Sequence, residues 1–184
     1  EELWRPAILV AREQLRARFV DQPGCAASLS EPAASALERA LLIHLTNLST
    51  PALQAEFDEA RPAGHELLAR SIDASEDSGS SNEHYRAFVD RLQGEGLAAL
   101  FTRWPVLARL SATLVGDWVE ATAELLERYA ADREALALLF GEGGGAAPGV
   151  IAGVVPYLSD RHRGGRAVAV LQLDSGHRIV YKPR

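Results

Sequence analysis

The last twenty-five residues, "DRHRGGRAVAVLQLDSGHRIVYKPR", gather the side chains best suited to handling anions and protons. Six basic residues stand against two acidic ones from Asp160 to Arg184, a local net charge of +4. The whole chain carries −6, so the remainder carries −10. A basic patch closing an acidic chain suits a local anionic ligand better than a polyanionic partner. Asp160 and His162 lie one residue apart, and on an extended segment such side chains share a side. A carboxylate there orients the imidazole and raises its pKa, making it a usable acid or base. The plainer alternative is an Asp that caps a turn with an exposed His at its tip. Gly164 and Gly165 let backbone N–H groups approach a phosphate closely, with Arg161, Arg163 and Arg166 around them. The alternative is an ordinary hairpin turn with solvated arginines.

Lys182 is the only lysine in the chain; the other eighteen permanent cations are arginine. Lysine is a compact point charge with three donors on a flexible stem. In kinase-type sites a lysine on the third strand of a small sheet, in a V-A-I-K context, holds the α/β-phosphates. Here Lys182 ends "RIVYK" on the third expected strand, after a glycine-containing connection. That connection is neither GxxxxGK[ST], which needs a following helix, nor G-x-G-x-x-G. An edge-strand lysine is the alternative, weakened by the lack of any other lysine. His44, His65, His84 and His177 show no ligand spacing and read as surface or packing residues.

These residues need elements to position them, and the pattern predicts an α+β fold. Up to residue 140 the apolar periodicity is helical. Ile8, Leu15 and Phe19 mark one helix. Ser30 is a candidate N-cap with Pro32 in the first turn. Thr50 and Pro51 are expected to start another short helix. Tyr85, Phe88, Val89 and Leu92 share a face, and Leu107, Leu110, Leu114, Trp118, Leu125 and Leu126 mark a long helix opened by Pro105. Residues 71–83 are polar and serine-rich and read as a flexible loop. "GEGGGAAPG", 141–149, reads as a hinge. After it the period becomes strand-like, predicting three antiparallel strands joined by tight connections, with Gly176 in a turn. The expected organisation is a helical part, 1–148, and a small truncated lobe, 149–184.

Composition bounds the function. The acidic balance argues against a nucleic-acid or membrane-surface binder. No apolar run approaches the ~18 residues needed to span a bilayer, and the amino end is not a secretion signal. Cys25 stands alone, excluding an internal disulfide and a cysteine-rich zinc site, and a cytoplasmic location is the default expectation. No metal ligands are expected in the chain.

"SDRHRGGRAVAVLQLDSGHRIVYKPR" resembles the Asp-x-His-x-x-Gly, Ser-Gly and Val-Tyr-Lys-Pro-Arg segment of class II lanthipeptide synthetases. "STPALQAEF", "YRAFVDRLQGEGLAALFTRWPVLARL" and "WVEATAELLERYAADREALALLF" resemble helices of the same family, so that the likeness covers roughly residues 35–184. The resemblance implies an amino-terminal fragment of a kinase-like dehydratase. Such an enzyme uses ATP and Mg2+ to phosphorylate Ser and Thr of a precursor peptide, then eliminates phosphate to leave dehydroamino acids. It also implies a Zn2+-dependent cyclase domain, which this chain lacks. By match to the motif, Lys182 contacts the nucleotide phosphates with Gly164, Gly165 and Arg163 nearby, and Asp160 and His162 serve dehydration. The catalytic-loop Asp, the magnesium ligands and the cyclase are not in the chain, so the fragment by itself is expected to be inactive. The competing expectation is a non-catalytic helical module that binds a peptide or partner, with Lys182 incidental.

Overall fold

The computed structural model describes residues 2–60, 78–140 and 149–183, with residues 78–82 described for their backbone alone. Helices α1 (Arg5–Arg18), α2 (Pro23–Ala26), α3 (Glu31–Ala60), α4 (Ser78–Arg103), α5 (Pro105–Ala131) and α6 (Arg133–Phe140) precede strands β1 (Ile151–Val155), β2 (Ala169–Leu173) and β3 (Arg178–Tyr181). The fold is α+β, helices first and a three-stranded antiparallel sheet last. Two compact units emerge: Leu45–Ser111 with the start of the chain, and Pro6–His44 with Ala112–Arg184. The change of secondary structure at residue 149 therefore falls inside the second unit.

The first unit buries Ala52, Phe88, Leu92, Leu100 and Leu107 together, with Phe57, Val89 and Trp104 packed against them. Tyr85 departs from the expected apolar face: it is exposed, touching Phe57 edge-on at 6.1 Å. The Glu56 carboxylate is buried in this unit. It accepts hydrogen bonds from Arg103 Nε at 2.8 Å and Trp104 Nε1 at 2.9 Å and lies 3.6 Å from Arg91.

Two expectations about the helices need correction. No new helix starts at Thr50–Pro51; α3 runs through Pro51. The hydroxyls of Ser49 and Thr50 donate to the Thr46 carbonyl at 3.0 and 2.9 Å, so both side chains fold back onto the helix just before the proline. The loop expected at 71–83 gives way to α4 from Ser78 onward; 71–77 lie outside the described residues, as do 141–148 of the expected hinge. Gly96, at φ 71°, kinks α4.

In the second unit Ser30 caps α3 as expected, accepting from the Ala33 N–H at 3.3 Å. Its hydroxyl donates to the Ala152 carbonyl at 3.1 Å, so one residue both starts a helix and ties down β1. Backbone bonds Ser30 N to Ile151 O (3.0 Å) and Ile151 N to Ser28 O (2.7 Å) occupy the outer edge of β1. The sheet order is β1-β2-β3. Val154 pairs with Leu171, and Leu171 with Ile179. Ile151, Val154, Ala169, Leu171 and Leu173 are buried, which defines the inner face of the sheet. Leu125 and Tyr129 of α5 line a hollow with Leu171 and Ile179, so α5 covers that face. The indole N–H of Trp118 donates to the Leu37 carbonyl at 3.1 Å, joining α5 to α3 within the unit.

Candidate functional site

The tight connection expected between β1 and β2 is instead a loop over 156–168, closed by its own ladder. Leu158 N donates to Val168 O at 2.8 Å, Val168 N to Ser159 Oγ at 3.1 Å, and His162 N to Arg166 O at 2.8 Å. Proline at 156 and a left-handed Tyr157 (φ 57°) turn the chain out of β1 and prevent a two-residue turn. Arg163–Gly165 form a single 3-10 turn at the tip, with Gly164 at φ 65° and Gly165 at φ 71°.

Both glycines hold a positive φ that side-chain-bearing residues rarely adopt, and Gly165 is also closely approached by Asp117. A Cβ on Gly165 would stand 3.1 Å from the Asp117 Cβ, and one on Gly164 2.7 Å from a guanidinium nitrogen of Arg166. The Gly165 N–H, expected as a free phosphate donor, already donates to the His162 carbonyl at 3.1 Å, because the 3-10 turn closes on itself. Arg166 folds back over the turn, donating to Arg163 O at 2.9 Å and, from Nε, to Glu124 at 2.5 Å. Glu124 also pairs with Arg128, whose guanidinium lies over the Tyr181 ring, 5.8 Å from its centre. One carboxylate thus links the loop, α5 and β3. Burial, with Glu124 nearby, pushes the Tyr181 phenol up; its hydroxyl is buried without a hydrogen-bond partner among the described residues.

Asp160 and His162 are exposed in this loop, and no hydrogen bond joins them among the described residues. Arg163 is exposed at the tip. Lys182 follows the last residue of β3. Because Tyr181 pairs with Ala169 and Val155 with Val170, Lys182 comes to the end of the sheet from which the 156–168 loop rises. Topology therefore brings Asp160, His162, Arg163, Gly164, Gly165 and Lys182 to one end of one sheet.

Sequence reasoning missed the surface beside them. Val155, Val170 and Val180 pair directly across the three strands on the face opposite α5. Val155 and Val180 are each 55% exposed, a flat apolar row open to solvent. Lys182 lies two residues beyond Val180, just past the last residue of β3. On the inner face a cavity of about 590 Å³ lies among Leu125, Arg128, Tyr129, Asp132 and Leu171, with Lys182 at its rim. Among the described residues no group of three or more His, Cys, Asp or Glu could hold a metal ion. No helix is long and apolar enough to cross a membrane among the described residues.

No curated protein matches the chain. Residues 104–184, from the end of α4 through β3, match the family described as Domain of unknown function (DUF4135), which is found in amino-terminal regions of class II lanthipeptide synthetases.

Proposed function

We propose that this chain forms the start of the nucleotide-binding lobe of a dehydratase of the class II lanthipeptide synthetase type. The observation that carries the reading is the juxtaposition, at one end of the sheet, of the Val155–Val170–Val180 row with Lys182, which follows the last paired residue of β3. A flat apolar strip suits one side of a purine ring, since burying it removes apolar area on both partners from water. Lysine two residues further along suits the phosphates as a flexible point charge. Arg163, at the same end of the sheet, adds a second cation. Gly164 and Gly165 serve by shape, letting the loop lie against α5 and letting Arg166 fold back to Glu124.

The chemistry ATP supplies is phosphorylation of a peptide Ser or Thr, after which elimination of the phosphate leaves a dehydroamino acid. Phosphoryl transfer depends on positioning and on stabilising charge, which Lys182 and Arg163 provide. Elimination needs a group to take the α-proton and cations to stabilise the departing phosphate. His162, exposed on the loop, is suited to move that proton, and Asp160 to orient its ring once substrate closes the site.

The test uses a protein that joins this chain to the downstream catalytic lobe, a precursor peptide and mass spectrometry. Lys182→Ala is expected to abolish loss of water from Ser and Thr, and Lys182→Arg to leave activity well below the wild type. Unimpaired dehydration by Lys182→Ala overturns the proposal.

A further inference from the structure

A second hollow, of about 560 Å³, lies between α3 and the end of β1, away from the inner-face cavity. Pro32, Arg39, Ile43 and His44 line it from α3, and Val155 and Tyr157 from the strand end. Its floor is apolar yet wet: Ile43 is 52% exposed and Val155 55%. No Asp or Glu lines it, in a chain with twenty-five acidic residues. Arg39 is exposed on its wall, and neither Arg39 nor Arg161 pairs with a carboxylate among the described residues. The Arg161 charge reaches the hollow: after burial it is the next cause holding His44 below its ordinary pKa, and it opposes the burial that raises Tyr157. The two rings meet edge to face at 4.5 Å, and Tyr157 holds a left-handed backbone conformation there. Non-glycine residues held in that region concentrate at binding sites.

We propose that this hollow is a docking groove for an extended peptide segment in which apolar and acidic side chains alternate. From Pro32 to Ile43 the helix advances ~16 Å at 1.5 Å per residue, the span of about five residues of extended chain. Apolar side chains of the segment cover Pro32 and Ile43, and carboxylates on the other side meet Arg39 and Arg161, which offer planar donor pairs. Charge complementarity of this kind sets specificity and partner choice. The inference is independent of the nucleotide chemistry assigned to Lys182.

Fluorescence anisotropy without nucleotide tests it on the 184-residue chain, using labelled Leu-Glu-Leu-Glu-Leu and Leu-Lys-Leu-Lys-Leu. The acidic peptide is expected to bind and the basic one not. Arg39→Glu and Ile43→Asp should each weaken the acidic peptide by roughly tenfold or more, and Lys182→Ala should leave it unchanged. Circular dichroism checks that the variants are folded; should Arg39→Glu unfold, Arg39→Ala replaces it with a smaller expected loss. Equal binding of the two peptides, no binding, or undiminished binding by both groove variants overturns the proposal. Loss of binding in Lys182→Ala also overturns it by locating the peptide at the phosphate end. A concentration-dependent dimer abolished by Ile43→Asp would assign the groove to a second copy of the chain instead.

Discussion

Arg166 donates from its Nε to the Glu124 carboxylate at 2.5 Å, and the other oxygen of Glu124 pairs with Arg128. This contact fixes the glycine turn against α5, because Arg166 also closes the turn through the Arg163 carbonyl. Arg166→Ala is expected to cost about 1 kcal/mol, since the pair is partly exposed. Dehydration by the longer protein should fall much further, because the loop bearing Asp160 and His162 loses its anchor. Urea unfolding and peptide mass spectrometry read the two effects, and equal losses in both would show that Arg166 matters for folding alone.

Gly165→Ala is expected to destabilise the second unit by roughly 2 kcal/mol. A positive-φ penalty of about 1–2 kcal/mol adds to a Cβ contact of 3.1 Å with Asp117. Gly176 has φ 86° but nothing within 4 Å of its would-be Cβ. Gly176→Ala should therefore show the backbone penalty alone, and a smaller thermal shift.

Glu56 gives the first unit an acid-sensitive joint. Burial alone would raise its pKa, but hydrogen bonds from Trp104 and Arg103 and the charges of Arg103 and Arg91 outweigh it, and the net shift is downward. A depressed folded value means stability that is present above the unfolded value, ~4.3, and lost as pH falls from there through the folded value. Glu56→Gln should lower stability at neutral pH by about 2 kcal/mol, as hydrogen bonds to a charged group are lost. It should also flatten the acid side of the stability profile. A wild-type acid slope retained in the variant would assign the acid sensitivity to other carboxylates.

The valine row separates binding from folding. Val180 is 55% exposed, so Val180→Asp should leave the unfolding midpoint nearly unchanged. Nucleotide affinity of the longer protein should fall roughly tenfold or more, since a carboxylate would stand beside the base and two residues from the phosphates. Unchanged affinity, measured by calorimetry, would remove the row from the site.

Local signals wrote much of this fold into the sequence. Ser30 before a proline gave the start of α3, Pro105 opened α5, and the change of apolar period after Gly149 marked the strands. What was illegible depends on contacts distant in sequence. Continuity of α3 through Pro51 overrides the local start signal of Thr50–Pro51, which propensity alone does not register. The glycine pair looked like free backbone donors; only the closure of the turn and the approach of Asp117 reveal a packing role. The valine row needs the register of three strands, and Glu56 needs partners from 35 to 48 residues away. The candidate site residues stand out because their types are unusual here, as with the single lysine, and the family resemblance already groups them; the strand register that sets them at one end of the sheet comes only from the structure.

The central claim is that Lys182 lies against nucleotide phosphates. An acyl phosphate of ATP transfers its acyl group to a lysine amine held beside those phosphates, and Lys182 is the only lysine in these 184 residues. In the longer protein, peptide mapping should find Lys182 acylated, with labelling suppressed by excess ATP and spared by excess adenosine at the same concentration. Labelling of Lys182 that ATP does not suppress, or no labelling at all, would contradict the account.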